Sequence, residues 1–167
     1  SNILKDPNIK NKIVKKNNKD GPVTIADLKV NDLIINRIKE KYKDISWEIL
    51  SEENEKTNSY QCNTDARWLW VLDPLDGTKD FIQGTSNYAM HLSLNFNKKP
   101  YIGVVLIPEK NELWICDGED VWCERRDGSN FKPDISINKI LREMTLVTSK
   151  NHRNLILQNL IEKICFK

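Results

Sequence analysis

The sequence has few residues of the kinds that build zinc sites, disulfide frameworks or membrane spans. Its 167 residues include four cysteines and two histidines, and no two cysteines form a Cys-x-x-Cys pair, which argues against zinc. No apolar run is long enough to span a bilayer, and no segment resembles a signal peptide. We therefore expect a cytoplasmic protein whose thiols are reduced.

A large excess of charge of one sign is also absent, because the formal net charge is +2. Six lysines do crowd the first twenty residues, but no aromatic residues alternate with them, so we interpret this run as a solvated segment. We therefore predict no nucleic-acid polymer as a partner. With 39% hydrophobic residues the chain has enough apolar side chains for the core of about one domain.

The hydrophobic pattern predicts an α+β fold, with helices packed on a largely antiparallel sheet. Thr24 followed by Asp27 resembles a capping box and predicts a helix that runs to about residue 43. Residues 1–20 are predicted to be irregular with one short helix, and residues 54–66 to form a loop. Strands are predicted at 45–50, 68–72 (ending at Asp73), 88–95, 101–107, 112–116 and 120–124.

The last part of the chain has a different pattern. A strand at 145–148 followed by a helix at 151–164 predicts the opening of a second α/β domain. We therefore place one α+β domain at 1–143 and the start of another, an α/β domain, at 144–167. The predicted strand edge has no partner strand and the apolar helix face has no cover, which favours a homo-oligomer or a rearranged carboxyl-terminal segment that packs on the first domain.

Segment 73–78 (Asp-Pro-Leu-Asp-Gly-Thr) carries the strongest signal for chemistry. A buried strand leads to Asp73, and Pro74 forms a tight turn that brings Asp76 to the same side. Two carboxylates about 4 Å apart repel by roughly 4 kcal/mol at an effective dielectric constant of 20, and a cation offsets this cost. Oxygen ligands of this type suit Mg²⁺ or Mn²⁺. The alternative is an ordinary turn, in which Asp-Pro and Asp-Gly are common.

Three further features favour the metal site over the turn. Glu52 and Glu53 follow a predicted strand, as Asp73 does, so both acid clusters are expected to converge on one sheet edge. Thr78 places a hydroxyl beside the acids. Asp27 begins a helix upstream, although an acid at that position also simply caps the helix.

Three segments together resemble the inositol monophosphatase superfamily in order and spacing. They are 22–27 (Pro-Val-Thr-Ile-Ala-Asp), 49–53 (Ile-Leu-Ser-Glu-Glu) and 70–82 (Trp-Val-Leu-Asp-Pro-Leu-Asp-Gly-Thr-Lys-Asp-Phe-Ile). The resemblance covers residues 19–165 and implies the first half of that family's α/β sandwich. It also implies a phosphatase that attacks a phosphate monoester in line with water activated by two or three Mg²⁺ ions, with Mn²⁺ as an alternative.

The resemblance implies roles for individual residues. The metal ligands would be Glu52, Asp73, Asp76 and the carbonyl oxygen of Leu75. Asp27, Thr78 and Glu52 would be catalytic: Thr78 and Glu52 would hold the attacking water, and Asp27 would draw its proton or lie near a further metal. Glu53 would support the ligands. The substrate would contact Leu75, Asp76, Gly77, Thr78 and Lys79.

The residues Lys79-Asp80-Phe81 resemble the Lys-Glu-Phe of the CysQ-type 3′(2′),5′-bisphosphate nucleotidases. This likeness implies removal of the 3′-phosphate of adenosine 3′,5′-bisphosphate, a small phosphorylated nucleotide of sulfur assimilation, to give AMP. One alternative is an inositol monophosphatase or a broad sugar phosphatase, and another is a non-catalytic metal-binding module. Because the family pattern includes a second domain with a further metal-ligand aspartate, we expect little or no activity from the 167 residues alone.

Overall fold

The chain divides into two units, Ser1–Pro133 and Asp134–Lys167. The structure is a computed structural model and describes residues 3–6, 9, 13–17, 21–57, 61–134, 147 and 155–164. None of the helices in these ranges is long and apolar enough to cross a membrane. The domain boundary that we expect at 143/144 stays a prediction.

A mixed sheet dominates the first unit. Its seven strands lie side by side in the order in which they follow along the chain, with the first two parallel and all other neighbours antiparallel. The predicted fold, helices on a largely antiparallel sheet, is therefore confirmed. The strands are β3 (Glu48–Ser51), β4 (Trp68–Asp76), β5 (Ala89–Phe96), β6 (Lys99–Ile107), β7 (Glu112–Cys116), β8 (Val121–Arg125) and β9 (Asn130–Phe131).

Helix α1 (Ile25–Lys41) begins at Thr24, as its capping box predicts. The backbone N–H of Thr24 donates to Asp27 Oδ2 at 2.7 Å, and the Thr24 hydroxyl accepts from the Ala26 amide at 3.1 Å. The buried face of α1 includes Ala26, Val30 and Ile38, which join the main apolar cluster with residues of the sheet. Because α1 packs on β4, this core holds the first turn of the helix near the carboxyl end of that strand.

The amino-terminal segment is more regular than its composition indicates. Our prediction of an irregular stretch at 1–20 is wrong for β1 (Ile13–Asn17), which pairs antiparallel with β2 (Gly21–Thr24). Ile13 and Val14 are 39% and 55% exposed, so the backbone ladder rather than burial stabilises this strand. A short 3₁₀ helix at Ile3–Lys5 agrees with the single helix expected there.

Two other boundaries differ from the prediction. Residues 52–57 form a short helix, α2 (Glu52–Thr57), where we expected a loop from 54 onward. Strand β4 does not end at Asp73 but continues to Asp76, with an irregular register between these two residues. Pro74 has no N–H to donate, so the ladder is interrupted there and resumes when Asp76 pairs with Ala89.

In the second unit the structure describes helix α4 (Leu155–Ile164), which agrees with the carboxyl-terminal part of the helix predicted at 151–164. The predicted strand at 145–148 lies outside the described residues apart from Val147. In α4, the side chains of Leu155, Ile156 and Leu160 are 77%, 79% and 50% exposed. The expected homo-oligomer stays a prediction.

Candidate active site

Glu52 directly follows β3, and Asp73 lies within β4, the parallel strand beside it. In the register of these two strands Ser51 pairs with Leu72, so each candidate acid is the residue that comes next after this pair. Parallel neighbours run toward the same edge of a sheet, and the Glu52 side chain lies close enough there to add to the rise that burial causes in the pKa of Asp73. The structure therefore places the side chains of Glu52 and Asp73 near each other, while their predicted role as shared metal ligands stays a prediction.

The pKa of Asp73 is raised by burial and by the neighbouring carboxylates. Burial raises the pKa of Asp73 to about 7, assisted by the charge of Glu52, by the hydrogen bond with that residue and by the charge of Asp76. The amide of Leu75, which donates to Asp73 Oδ1 at 3.1 Å, acts in the opposite direction. In the metal-free site Asp73 therefore keeps its proton to a higher pH than a free aspartate does.

Asp27 and Thr78 come together although 51 residues separate them. The Thr78 hydroxyl lies 3.1 Å from Asp27 Oδ1 and 3.0 Å from the carbonyl oxygen of Leu75, and it can donate its one proton to either. Burial raises the pKa of Asp27, against the hydrogen bonds from Thr24 and Thr78. Asp27 thus both caps α1 through Oδ2 and contacts Thr78 through Oδ1.

Gly77 forms the turn between β4 and helix α3 (Thr78–Gln83). Its φ of +83° is in the left-handed region that favours glycine. The carbonyl oxygen of Gly77 accepts from the Phe81 amide at 2.9 Å. Phe81 is fully buried and its ring meets the Tyr88 ring edge-on at 5.1 Å between centroids. The loop that carries Asp76 and Thr78 is therefore anchored in the core on its carboxyl-terminal side.

Lys79 and Asp76 are exposed, whereas Leu75 is buried. Of the residues predicted to bind substrate, the structure brings Leu75 and Thr78 into direct contact through the Leu75 carbonyl group. The roles assigned to Asp76, Gly77 and Lys79 stay predictions.

Lys56 is a site residue that our sequence reasoning missed. Its Nζ lies 2.8 Å from Glu52 Oε1 and 3.1 Å from Glu53 Oε1. Burial is the main cause that raises the pKa of Glu53, and Lys56 opposes this rise. The spacing of four residues between Glu52 and Lys56 signals such a pair only on a helix, and we had interpreted this segment as a loop.

The donor set at this edge suits a hard divalent cation. The acids Glu52, Asp73 and Asp76 and the Leu75 carbonyl group offer only oxygen atoms, which Mg²⁺ prefers. Among the residues that the structure describes, no group of three or more His, Cys, Asp or Glu side chains is arranged so that it could hold a metal ion. Glu52 is instead paired with Lys56, and Asp73 accepts from the Leu75 amide. The donor chemistry therefore fits Mg²⁺, while the ligand assignment stays a prediction.

We predict that the metal-free protein becomes less stable as the pH rises from about 4, the ordinary pKa of an aspartate, to about 7, the folded pKa of Asp73. In this window the folded chain holds a proton that the unfolded chain releases, so the free energy of unfolding falls with rising pH. The raised pKa values of Asp27 and Glu53 act in the same direction. The measurement is urea unfolding in EDTA at pH 5.5 and pH 8.

Asp73→Asn isolates the contribution of this residue. We expect the variant to show a smaller loss of stability between pH 5.5 and pH 8 than the wild type. An unchanged pH dependence in the variant would mean that Asp73 titrates in the folded protein as it does in the unfolded chain.

Comparison with known proteins decides the family. The model of the inositol monophosphatase family matches residues 3–166. The chain belongs to this family. The predicted family is thereby confirmed. Its members are phosphatases that generally depend on Mg²⁺.

Individual members of the inositol monophosphatase family show both the likeness and its extent. A 3′(2′),5′-bisphosphate nucleotidase CysQ of Buchnera aphidicola is 31% identical over 144 residues, which are 86% of this chain and 51% of that protein. Inositol monophosphatase 1 of Bos taurus is 27% identical over 145 residues, with coverage of 86% and 51%. The solved IMPase of Thermotoga maritima superposes with a TM-score of 0.64 at 26% identity, covering 85% of this chain and 51% of that chain. The chain thus spans about half the length of these family members.

Proposed function

We propose that this chain forms the metal- and phosphate-binding part of a phosphatase that removes the 3′-phosphate of adenosine 3′,5′-bisphosphate. The observation that carries the proposal is the meeting of two sets of groups at the end of β4. The Glu52 side chain lies beside Asp73 there, in the register that pairs Ser51 with Leu72, and Asp27 contacts the hydroxyl group of Thr78, which follows β4, at 3.1 Å.

In this proposal Glu52, Asp73, Asp76 and the Leu75 carbonyl group hold two or three Mg²⁺ ions, or Mn²⁺ in their place. When bound, these cations supply Lewis acidity and offset the negative charge of the phosphate. Their charge would also oppose the rise in the pKa of Asp73, which burial causes and the charges of Glu52 and Asp76 increase. No cysteine or histidine is needed among the ligands.

Thr78 is suited to orient the attacking water. Its hydroxyl donates toward Asp27 or Leu75, so its oxygen lone pairs are free to accept a hydrogen bond from water. The water oxygen forms a bond to phosphorus as the bond to the ribose 3′-oxygen breaks. The proton released by water moves toward the Asp27 carboxylate, whose pKa is raised by burial, and the ribose oxygen leaves as a hydroxyl group after it takes up a proton from a solvent water molecule.

Backbone amides at the start of α3 are suited to hold the phosphate. The Phe81 amide makes the first hydrogen bond within this turn, to the Gly77 carbonyl group. The amides of Gly77 and Thr78 precede it, and helices leave such amides without a partner inside the helix. Because Gly77 has no side chain, a phosphate oxygen can approach its backbone closely.

Lys79 favours the bisphosphate over the monophosphate substrates. Its side chain is exposed beside the amides that would hold the first phosphate, and a second phosphate on the same ligand gives this ammonium group a charge to pair with. The likeness to the CysQ protein of Buchnera aphidicola supports this choice. The likeness to the bovine inositol monophosphatase supports the alternative substrate, inositol 1-phosphate.

The test compares phosphate release from adenosine 3′,5′-bisphosphate and inositol 1-phosphate with Mg²⁺, using a catalytically active form of the protein that contains this chain. We expect a higher kcat/KM for the bisphosphate, and we expect Lys79→Met to lower that value by about tenfold, the effect of one charge contact to phosphate. Lys98→Met, which removes an exposed charge from the β5–β6 turn, is the matched control. Preference for inositol 1-phosphate would contradict the proposal, and Mg²⁺ binding without turnover would favour a non-catalytic module.

A further inference from the structure

Lys56 lies in a position that the proposed reaction does not use. Helix α2 places it one turn after Glu52 and Glu53, and its Nζ lies 2.8 Å and 3.1 Å from their Oε1 atoms. Its side chain is only 12% exposed, and that of Glu53 is 1% exposed. The ammonium group is therefore held between two carboxylates rather than extended into solvent, as lysine side chains usually are.

The two glutamates differ in what else they are expected to bind. Glu52 is 42% exposed and is a metal ligand in the proposed function. Glu53 is buried and contacts Lys56 from the inner side of α2. A divalent cation that approaches Glu52 therefore meets a positive charge already paired with that carboxylate, and the buried Glu53 keeps the ammonium group from moving away.

We propose that Lys56 is a positioning residue that acts as an internal competitor for Mg²⁺. In the metal-free protein it holds Glu52 and offsets the charge of the acid cluster. When Mg²⁺ binds, the Glu52–Lys56 pair must loosen while Lys56 stays with Glu53, so Lys56 weakens metal binding and raises the Mg²⁺ concentration that the site needs. This inference depends on Glu52 being a metal ligand, as the proposed function states.

A purely structural role for Lys56 makes a different prediction. If the ammonium group only stabilised α2 through its two ion pairs, its removal would lower the stability of the protein and would leave Mg²⁺ affinity unchanged or weaker. Competition predicts tighter Mg²⁺ binding when the charge is removed, because a positive charge near a cation site always opposes binding of the cation. The direction of the change in affinity therefore separates the two roles.

The experiment is isothermal titration of the purified protein with Mg²⁺, at fixed pH and ionic strength. We expect Lys56→Met, which keeps most of the side-chain volume without the charge, to lower the Kd for Mg²⁺ by about tenfold, the range for one partly buried charge contact. Lys56→Gln, which also keeps a hydrogen-bond donor for Glu53, is expected to do the same. Lys56→Arg keeps the charge and is expected to bind Mg²⁺ like the wild type.

Lys98→Met is the matched control for the loss of one positive charge. Lys98 pairs with Asp65 at 2.6 Å on the surface and is 70% exposed. Lys98 lies in the turn that follows Phe96, the last residue of β5. Asp73 pairs with His91, near the first residue of the same strand, so Lys98 and Asp73 are about 20 Å apart along the strand. We expect its Mg²⁺ affinity to equal that of the wild type.

The outcomes separate this inference from the proposed function. Equal or weaker Mg²⁺ binding by both Lys56→Met and Lys56→Gln, in proteins that fold, would overturn the competitor role and leave the metal site intact. No Mg²⁺ binding by the wild type or by any variant would overturn the inference together with the metal site. Tight binding by the two uncharged variants, with wild-type binding by Lys56→Arg and Lys98→Met, would support it.

Discussion

Asp76→Asn is expected to abolish phosphate release by a catalytically active form of the protein while leaving its fold intact. We expect kcat to fall by at least about 100-fold, which corresponds to roughly 2.7 kcal/mol of lost transition-state stabilisation. Asp76 is exposed at the end of β4, so its carboxylate contributes little to the core. Its charge also repels that of Asp73, so the substitution relieves repulsion in the metal-free state.

The measurements are phosphate release at saturating Mg²⁺ and the urea midpoint of the same samples. Asp120→Asn is the matched control. Asp120 is 60% exposed in the β7–β8 turn, and its Oδ2 lies 2.9 Å from Lys132 Nζ. Its turnover is expected to equal that of the wild type. Turnover by Asp76→Asn at the wild-type rate would show that Asp76 is only a turn residue, the alternative that its sequence context also allows.

Gly77→Ala is expected to lower the free energy of unfolding more than Gly128→Ala, a matched change at a surface turn. A Cβ atom at this position would lie 2.5 Å from the Asn87 carbonyl oxygen and 3.2 Å from Tyr88 Cα. Both are backbone atoms that cannot rotate away. The left-handed conformation costs about 1–2 kcal/mol for alanine, and the overpacking adds about 1–3 kcal/mol, so we expect a total loss of about 2–5 kcal/mol.

Gly128→Ala separates the two contributions to this loss. Gly128 has a φ of +88°, close to the +83° of Gly77, but a Cβ there meets no atom within 4 Å. We expect this control to lose only the backbone contribution, about 1–2 kcal/mol. Urea unfolding of the two variants gives the difference. Equal losses would mean that the close approach of β4's end to residues 87–88 does not restrict position 77.

Much of the local structure could be predicted because it depends on neighbouring residues. The capping box of α1 needs only Thr24 and Asp27, three residues apart. The turn at Gly77 and the helical turn from Thr78 follow from the same kind of short-range preference. The predicted secondary structure is wrong where the composition is misleading. The acidic and polar residues after Ser51 resemble a loop, although they form helix α2.

The approach of Glu52 to Asp73 is a less local feature, and it has a topological reason. Glu52 follows β3 beside the point where Asp73 lies in β4, and parallel neighbours run toward one edge. The sequence indicated the two strand ends but not that β3 and β4 are adjacent. That adjacency comes from the sheet order, in which β3 lies at the edge beside β4.

The sequence by itself determined the family, the mainly antiparallel α+β fold and the positions of the candidate acids along their strands. Only the tertiary structure decided which of these groups touch. Thr78 reaches Asp27 across 51 residues, and Lys56 stands between Glu52 and Glu53. The physical reason is that periodicity and turn chemistry report which face or end of an element a residue occupies. The partner on the facing element is set by packing of the whole core, which no short stretch of sequence contains.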